Sequence, residues 1–221
     1  MLSKELLEKF ADNYYKDFYE NFDNELIVQN KPKKYKEFRK RKENSTNEWY
    51  TPSKYIESVR KVMRKIEVDP ASSEAANLIV KADLFYTIEN SGLDKDWLNK
   101  DGEPSTVFLN PPYGGAEKIW IPKLLEQYNK GYVKRAILLV NACTERKWFK
   151  HLWENFTLCF TDHRIQFVGG NETDQQKNQP TNGNVFGFLC PRLHNDILVF
   201  DQEFKKYGEI VYVEHYARTW F

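Results

Sequence analysis

The sequence predicts an α/β chain, with a mainly parallel sheet finished by antiparallel strands and preceded by a helical extension. Three observations carry this. Short apolar runs alternate with amphipathic stretches up to about residue 160, the pattern of βα units on a parallel sheet. Beyond that point the strand-like runs cluster, which suits antiparallel pairing. Ahead of both, Leu6, Phe10, Tyr14, Phe18 and Phe22 return every four residues, the spacing of one helical face.

The extension takes up residues 1–46 and the main domain residues 47–221; 221 residues are enough for one sizeable domain with an appendage. Its helix, at 3–29, needs a surface for its apolar face, either the chain's own core or a second copy. Charge divides the extension sharply. Residues 1–25 hold three Lys against seven Asp or Glu, and residues 31–42, "KPKKYKEFRKRK", hold eight Lys or Arg against one Glu. The basic run is either a solvated linker or a phosphate-holding segment, in which Lys33, Lys34, Arg39 and Arg41 would displace counterions. The whole chain is nearly neutral, at +1, so global charge names no partner.

Within the main domain, Thr51 reads as an N-cap with Pro52 at the first helical position, and Ile56, Val59, Val62, Met63 and Ile66 as the inner face of the helix. "KIEVDPASSEAAN" reads as a short strand ending at Asp69-Pro70, then a turn and a helix start. "KADLFYT" is another short strand and "GLDKDWLNKDGEPS" a loop. Residues 117–130 form a helix with Pro122 as a start or an irregularity, stopped by Gly131. "KRAILLVNA" is the clearest buried strand, and "TERKWFKHLWENF" is helical. "TLCFTD", "RIQFVGG", "VFGFLC", "DILVF" and "GEIVYVEHY" read as strands, with a polar Gly-punctuated loop at 169–184.

Cys143, Cys159 and Cys190 are widely spaced, with no CxxC and no metal-ligand spacing. They predict reduced, mostly buried thiols in a reducing compartment and no metal site. The N-terminus is acidic and amphipathic, unlike a signal peptide, and no apolar run approaches a membrane span. The expectation is a cytoplasmic protein away from membranes.

The most informative stretch is "TVFLNPPYGG", Thr106 to Gly115. An apolar strand halts at an amide, two prolines and an aromatic ring. In an open parallel sheet ligands sit outside the carboxyl ends of the strands. There Asn110 presents an amide, and Pro111 and Pro112 lock φ while removing two backbone donors. Tyr113 supplies a flat face, and Gly114 and Gly115 leave room. Two acceptors and a ring suit a planar group bearing an NH₂. The same residues also suit a proline-stiffened strand exit whose turn Asn110 caps.

Neighbouring stretches occur in one order with it: "EWYTP" (48–52), "VDPASSEAAN" (68–77), "SGL" with Trp97, "AILLVNACTERKWF" (136–149), "CFTDHRIQFV" (159–168) and "PTNGNVFGF" (180–188). Over residues 47–190 the series resembles the phage-type DNA N6-adenine methyltransferases, the Dam-like family of prophages. The resemblance implies a seven-stranded, Rossmann-like methyltransferase sheet, S-adenosylmethionine as methyl donor and DNA as partner. It also implies a phage- or prophage-encoded enzyme acting in a bacterial host. Tyr50, Thr51 and Pro52 look like the donor-binding element ahead of the first strand. Asp69, Pro70 and Ala71 look like the turn under the donor's methionine part, although "DPASSEAAN" lacks the glycine-rich turn of many methyltransferases. A carboxylate on the donor ribose is expected at Asp83 or Glu89.

The chemistry follows from the residues. An exocyclic amine is a poor nucleophile until acceptors draw its nitrogen toward tetrahedral geometry, and Asn110 and Pro111 supply them. Flipping a base out of a duplex costs a few kcal/mol, and stacking on Tyr113 returns about 1–3 kcal/mol. Phosphate contacts must supply the rest, with Arg164 and the basic run as candidates. Phe167 or Phe186 is a candidate second wall, with core packing as the alternative, and His163 is a candidate DNA contact. Trp49, Trp97, Trp148 and Phe149 match family positions and can equally fill the core. Three rivals share the motif: a protein-glutamine methyltransferase, an RNA methyltransferase and a catalytically idle DNA-binding module.

Overall fold

Alternation along three neighbouring strands builds the core. In β4 (Ser105–Leu109), Phe108 points to one face of a sheet while Val107 and Leu109 point to the other. In β5 (Val133–Asn141), Ile137 and Leu139 oppose Ala136, Leu138 and Val140. In β8 (Asn184–Leu189), Phe186 and Phe188 oppose Val185 and Leu189. Period-two strands buried on both faces need cover on both sides. Helix α1 (Ser53–Met63) and helix α5 (His194–Phe204) pack on the first face, and α3 (Glu117–Asn129) on the second.

The computed structural model describes residues 49–169, 182–191 and 194–212. The expected helix at 3–29, the basic run with Lys33, Lys34, Arg39 and Arg41, and most of the polar loop at 169–184 lie outside the described residues, as does the boundary at 46/47.

The remaining elements are β1 (Trp49–Tyr50), β2 (Val68–Asp69), α2 (Glu74–Val80), β3 (Leu84–Phe85), α4 (Lys150–Asn155), β6 (Thr157–Thr161), β7 (Val168–Gly169) and β9 (Gly208–Val211). Seven strands form one mixed sheet in the order β3-β2-β4-β5-β8-β6-β9. The first four run parallel, and each pair beyond β5 is antiparallel. Both the expected strand count and the antiparallel finish are present. The chain passes from β2 to β3 on one side, then crosses to place β4 on the other side of β2. That reversal is a topological switch point, where the crevice opens outside the carboxyl ends of the strands. Asp69 and Asn110 stand at those two ends.

Local chemistry explains most element limits. Ser73 caps α2 by accepting from Ala76 N–H at 3.2 Å. Pro122 lies inside α3, an irregularity that removes one helical hydrogen bond. Cys159 and Cys190 are buried and Cys143 is partly exposed, and none of the three is in a disulfide.

The structure corrects three expectations. Thr51 is not an N-cap: Pro52 holds that position without a side-chain hydrogen bond, and the Thr51 hydroxyl is engaged elsewhere. "DILVF" is helical, not a strand. Ile197, Phe200 and Phe204 are buried at helical spacing while Val199 is 41% exposed, so the apolar run is one stripe of α5. In "RIQFVGG" the strand is confined to Val168–Gly169. Of the two roles weighed for Phe186, the structure gives it core packing, at 0% exposed.

Candidate active site

The Asn110–Tyr113 turn leaves β4 at the switch point, with Pro111 buried and Asn110, Pro112 and Tyr113 partly so. The Asn110 amide nitrogen donates to Thr51 Oγ1 at 3.1 Å. Its Oδ1 is buried and has no hydrogen-bond partner. A buried orphan acceptor costs about 1–3 kcal/mol and is expected where a ligand supplies the missing donor. The turn-cap role open to Asn110 in the sequence is therefore not the one its side chain takes.

Tyr113 stands edge-on to Phe167, with ring centroids 5.6 Å apart and planes at 67°. Its hydroxyl is buried and without a partner. Burial, and secondarily the nearby Glu117 carboxylate, hold it far above the ordinary phenol range, so it stays neutral. Glu117 is 4% exposed and accepts from Gly115 N–H at 2.8 Å. That bond fixes the glycine turn, in which Gly114 and Gly115 take positive φ of 95° and 102°.

Asp69 ends β2 and is 3% exposed. Its Oδ1 accepts from Ala71 N–H at 3.3 Å. Burial pushes its pKa up to about 7, opposed in part by the Ser72 hydroxyl and the Ala71 amide. The turn after it lacks a glycine of its own and borrows one. Gly92 lies so close that a Cβ there would sit 2.2 Å from the Pro70 carbonyl oxygen. Trp97 fixes that approach by donating its indole N–H to the Gly92 carbonyl at 2.8 Å. The "SGL" and Trp97 stretches are thus the back wall of the Asp69–Ala71 turn.

Of the two acidic candidates, Asp83 precedes β3 at the opposite edge of the sheet and pairs with Lys65 at 2.5 Å. Glu89 follows β3 on the same edge as Asp69, is exposed, and accepts from the Thr87 hydroxyl. Of the two, Glu89 alone lies on the Asp69 edge.

A two-stranded clip closes over this edge. β1 pairs antiparallel with β7, Tyr50 opposite Val168. The loop leading into β7 is pinned by Asn184, which is 2% exposed. Asn184 accepts from Ile165 N–H at 3.1 Å and donates to Asn141 Oδ1 at 3.2 Å. Composition alone gave no sign of these two asparagines; the "GNVF" context was the available signal. Arg164 is exposed on the same loop. His163 is held between the Tyr55 hydroxyl at 2.6 Å and Asp162 at 2.7 Å, a bond pattern that ties the loop to α1. Trp97 and Phe149 are fully buried core residues. Among the described residues no group of His, Cys, Asp or Glu could hold a metal ion, and no helix is long and apolar enough to cross a membrane.

The structure therefore brings Thr51, Pro52, Asp69, Pro70, Ala71, Asn110 and Tyr113 to one edge. A sheet covered on both faces, with an acceptor-bearing turn at its switch point, defines the class as a doubly covered α/β fold, in which ligand sites generally lie at the carboxyl edge of the strands. The model of the family described as DNA N-6-adenine-methyltransferase (Dam) matches residues 38–215. The chain belongs to this Dam family. The match reaches beyond the 47–190 of the quoted motifs, into the end of the basic run and most of the last thirty residues. No curated protein matches the chain.

Proposed function

We propose that the protein transfers a methyl group from S-adenosylmethionine to the N6 amine of an adenine turned out of DNA, at a specific site. The observation that carries this is the Asn110 amide, whose nitrogen is tied to Thr51 while its oxygen is buried and unmatched. Membership of the Dam family supports the substrate class.

The residues fit the donor as well as the base. Asp69, Pro70 and Ala71 form a tight turn at the end of β2, backed by Gly92, and Tyr50, Thr51 and Pro52, at and just after β1, would meet the donor from their side. Glu89, on the loop after β3, would take the ribose hydroxyls. The donor, when bound, supplies a methyl group on a sulfonium. The protein's part is to hold the amine in line with it. Asn110 Oδ1 accepts one N–H and the Pro111 carbonyl the other, which pulls the nitrogen toward tetrahedral geometry and stabilises the positive charge as it forms. Holding both reactants in line supplies much of the acceleration. Tyr113 stacks on the base, with Phe167 behind its edge, offsetting part of the few kcal/mol spent on unstacking. Arg164 and the basic residues Lys33, Lys34, Arg39 and Arg41 would take phosphates.

The test is Asn110→Ala, assayed with tritiated donor on DNA and, in parallel, by fluorescence anisotropy on labelled duplex. Transfer should drop by at least about 100-fold with DNA affinity within a few fold. Label on a protein or RNA substrate and none on DNA would favour a rival acceptor. Equal transfer by the variant and the wild type would refute the mechanism.

A further inference from the structure

We infer that Thr51 is a positioning residue for the catalytic amide, beyond any contact it makes with the donor. The inference rests on the reading of Asn110 as the amine acceptor. A primary amide has two ends of similar size, one a donor and one an acceptor. In a buried site whose ligand is itself a donor, the wrong end facing the pocket would set two N–H groups against each other. Something must fix which end points inward.

Thr51 is placed to do this. It is 4% exposed, and its hydroxyl oxygen accepts from Asn110 Nδ2 at 3.1 Å. Engaging the nitrogen leaves Oδ1 as the atom that faces away, and Oδ1 is the buried atom without a partner. The hydroxyl is spared for this because Thr51 does not cap α1. The clip supplies the rigidity. β1 and β7 pair Trp49 with Gly169 and Tyr50 with Val168, and continuing that register sets Thr51 opposite Phe167. These two residues meet the turn at its two reactive side chains, Thr51 at the amide and Phe167 at the Tyr113 ring. The clip thus orients both.

Three measurements on full-length protein test this. Thr51→Val removes the hydroxyl at nearly constant shape, and Thr51→Ser restores it. With saturating donor and DNA, Thr51→Val should lower kcat about 10- to 100-fold, the scale of a small misplacement of a reacting group. Its Kd for S-adenosylhomocysteine, by calorimetry, measures the donor contact separately, and the loss in kcat at saturating donor should exceed any rise in that Kd. Thr51→Ser should restore kcat to within a few fold. The third readout does not need activity. In protein labelled with [¹⁵N]asparagine, the Asn110 side-chain NH₂ pair, identified by its loss in Asn110→Ala, should shift in Thr51→Val and keep its wild-type position in Thr51→Ser. A raised Kd for S-adenosylhomocysteine with unchanged kcat would make Thr51 a donor ligand only and overturn the inference. So would an Asn110 pair that does not move. Wild-type protein inactive on DNA would sink the functional reading while the amide spectrum still judged Thr51. If Thr51→Val loses its thermal transition, Thr51→Ala takes its place in all three measurements.

Discussion

Asp69 carries a cost that donor binding would repay. Its carboxyl is buried at the end of β2 and titrates at about 7 against an ordinary 3.8. Between those values the folded chain holds a proton that the unfolded chain has released. Stability therefore falls as pH rises through that window, and the loss is complete above about pH 7. Asp69→Asn keeps an acceptor for the Ala71 amide and removes the charge. The free variant should be more stable than wild type at pH 8, by roughly 1–3 kcal/mol, with the two converging near pH 4. Urea melts across pH 4–8 measure this. The same variant should bind S-adenosylhomocysteine more weakly, because the carboxylate would be the partner of the donor's cationic end. A variant no more stable than wild type at pH 8 would mean that the carboxyl is not held up by burial.

At the scale of elements, one contact decides the shape of the site edge. Gly92 meets the Pro70 carbonyl backbone to backbone, and a Cβ would come within 2.2 Å of that oxygen. Gly92→Ala should therefore push the Asp69–Ala71 turn aside, costing about 1–3 kcal/mol of stability and at least about tenfold in S-adenosylhomocysteine affinity. Calorimetry and denaturant melts read both, and unchanged affinity would separate this turn from donor binding. The other test concerns α5, whose "DILVF" run looked like a strand. Phe200 is at 0% exposed and Val199 at 41%. Phe200→Ala should cost about 3–5 kcal/mol, whereas Val199→Ala should stay within about 0.5 kcal/mol. Similar losses at both would contradict the helix. Four consecutive apolar residues carry no periodicity of their own, so length and flanking residues had to arbitrate. The stripe becomes visible only when Phe204 is counted with Ile197 and Phe200.

For the whole molecule, the order of elements was legible because the βα alternation and the antiparallel finish leave local patterns. The same pattern placed "NPPY" at the carboxyl end of a parallel strand, while the switch point emerged only from the strand order of the folded sheet. What stayed hidden was long-range pairing. Nothing in "EWYTP" announces that Tyr50 pairs with Val168, so Thr51 looked like a helix cap when its hydroxyl serves the Asn110 amide. Nor could Phe167 be chosen over Phe186 as the ring beside Tyr113, since both are aromatic residues in apolar runs. Register across distant segments separated them. Asp83 and Glu89 were equivalent in composition, and only the direction of β3 placed them at opposite edges.

The central claim is that an amide oxygen at the switch point accepts the amine of an adenine. It is tested most directly by incubating duplex DNA with deuteromethyl-labelled donor and digesting it to nucleosides for mass spectrometry. Wild-type protein should yield labelled N6-methyladenine, and Asn110→Ala none above background. Label on cytosine, or labelled N6-methyladenine in equal amounts from both proteins, would contradict the account.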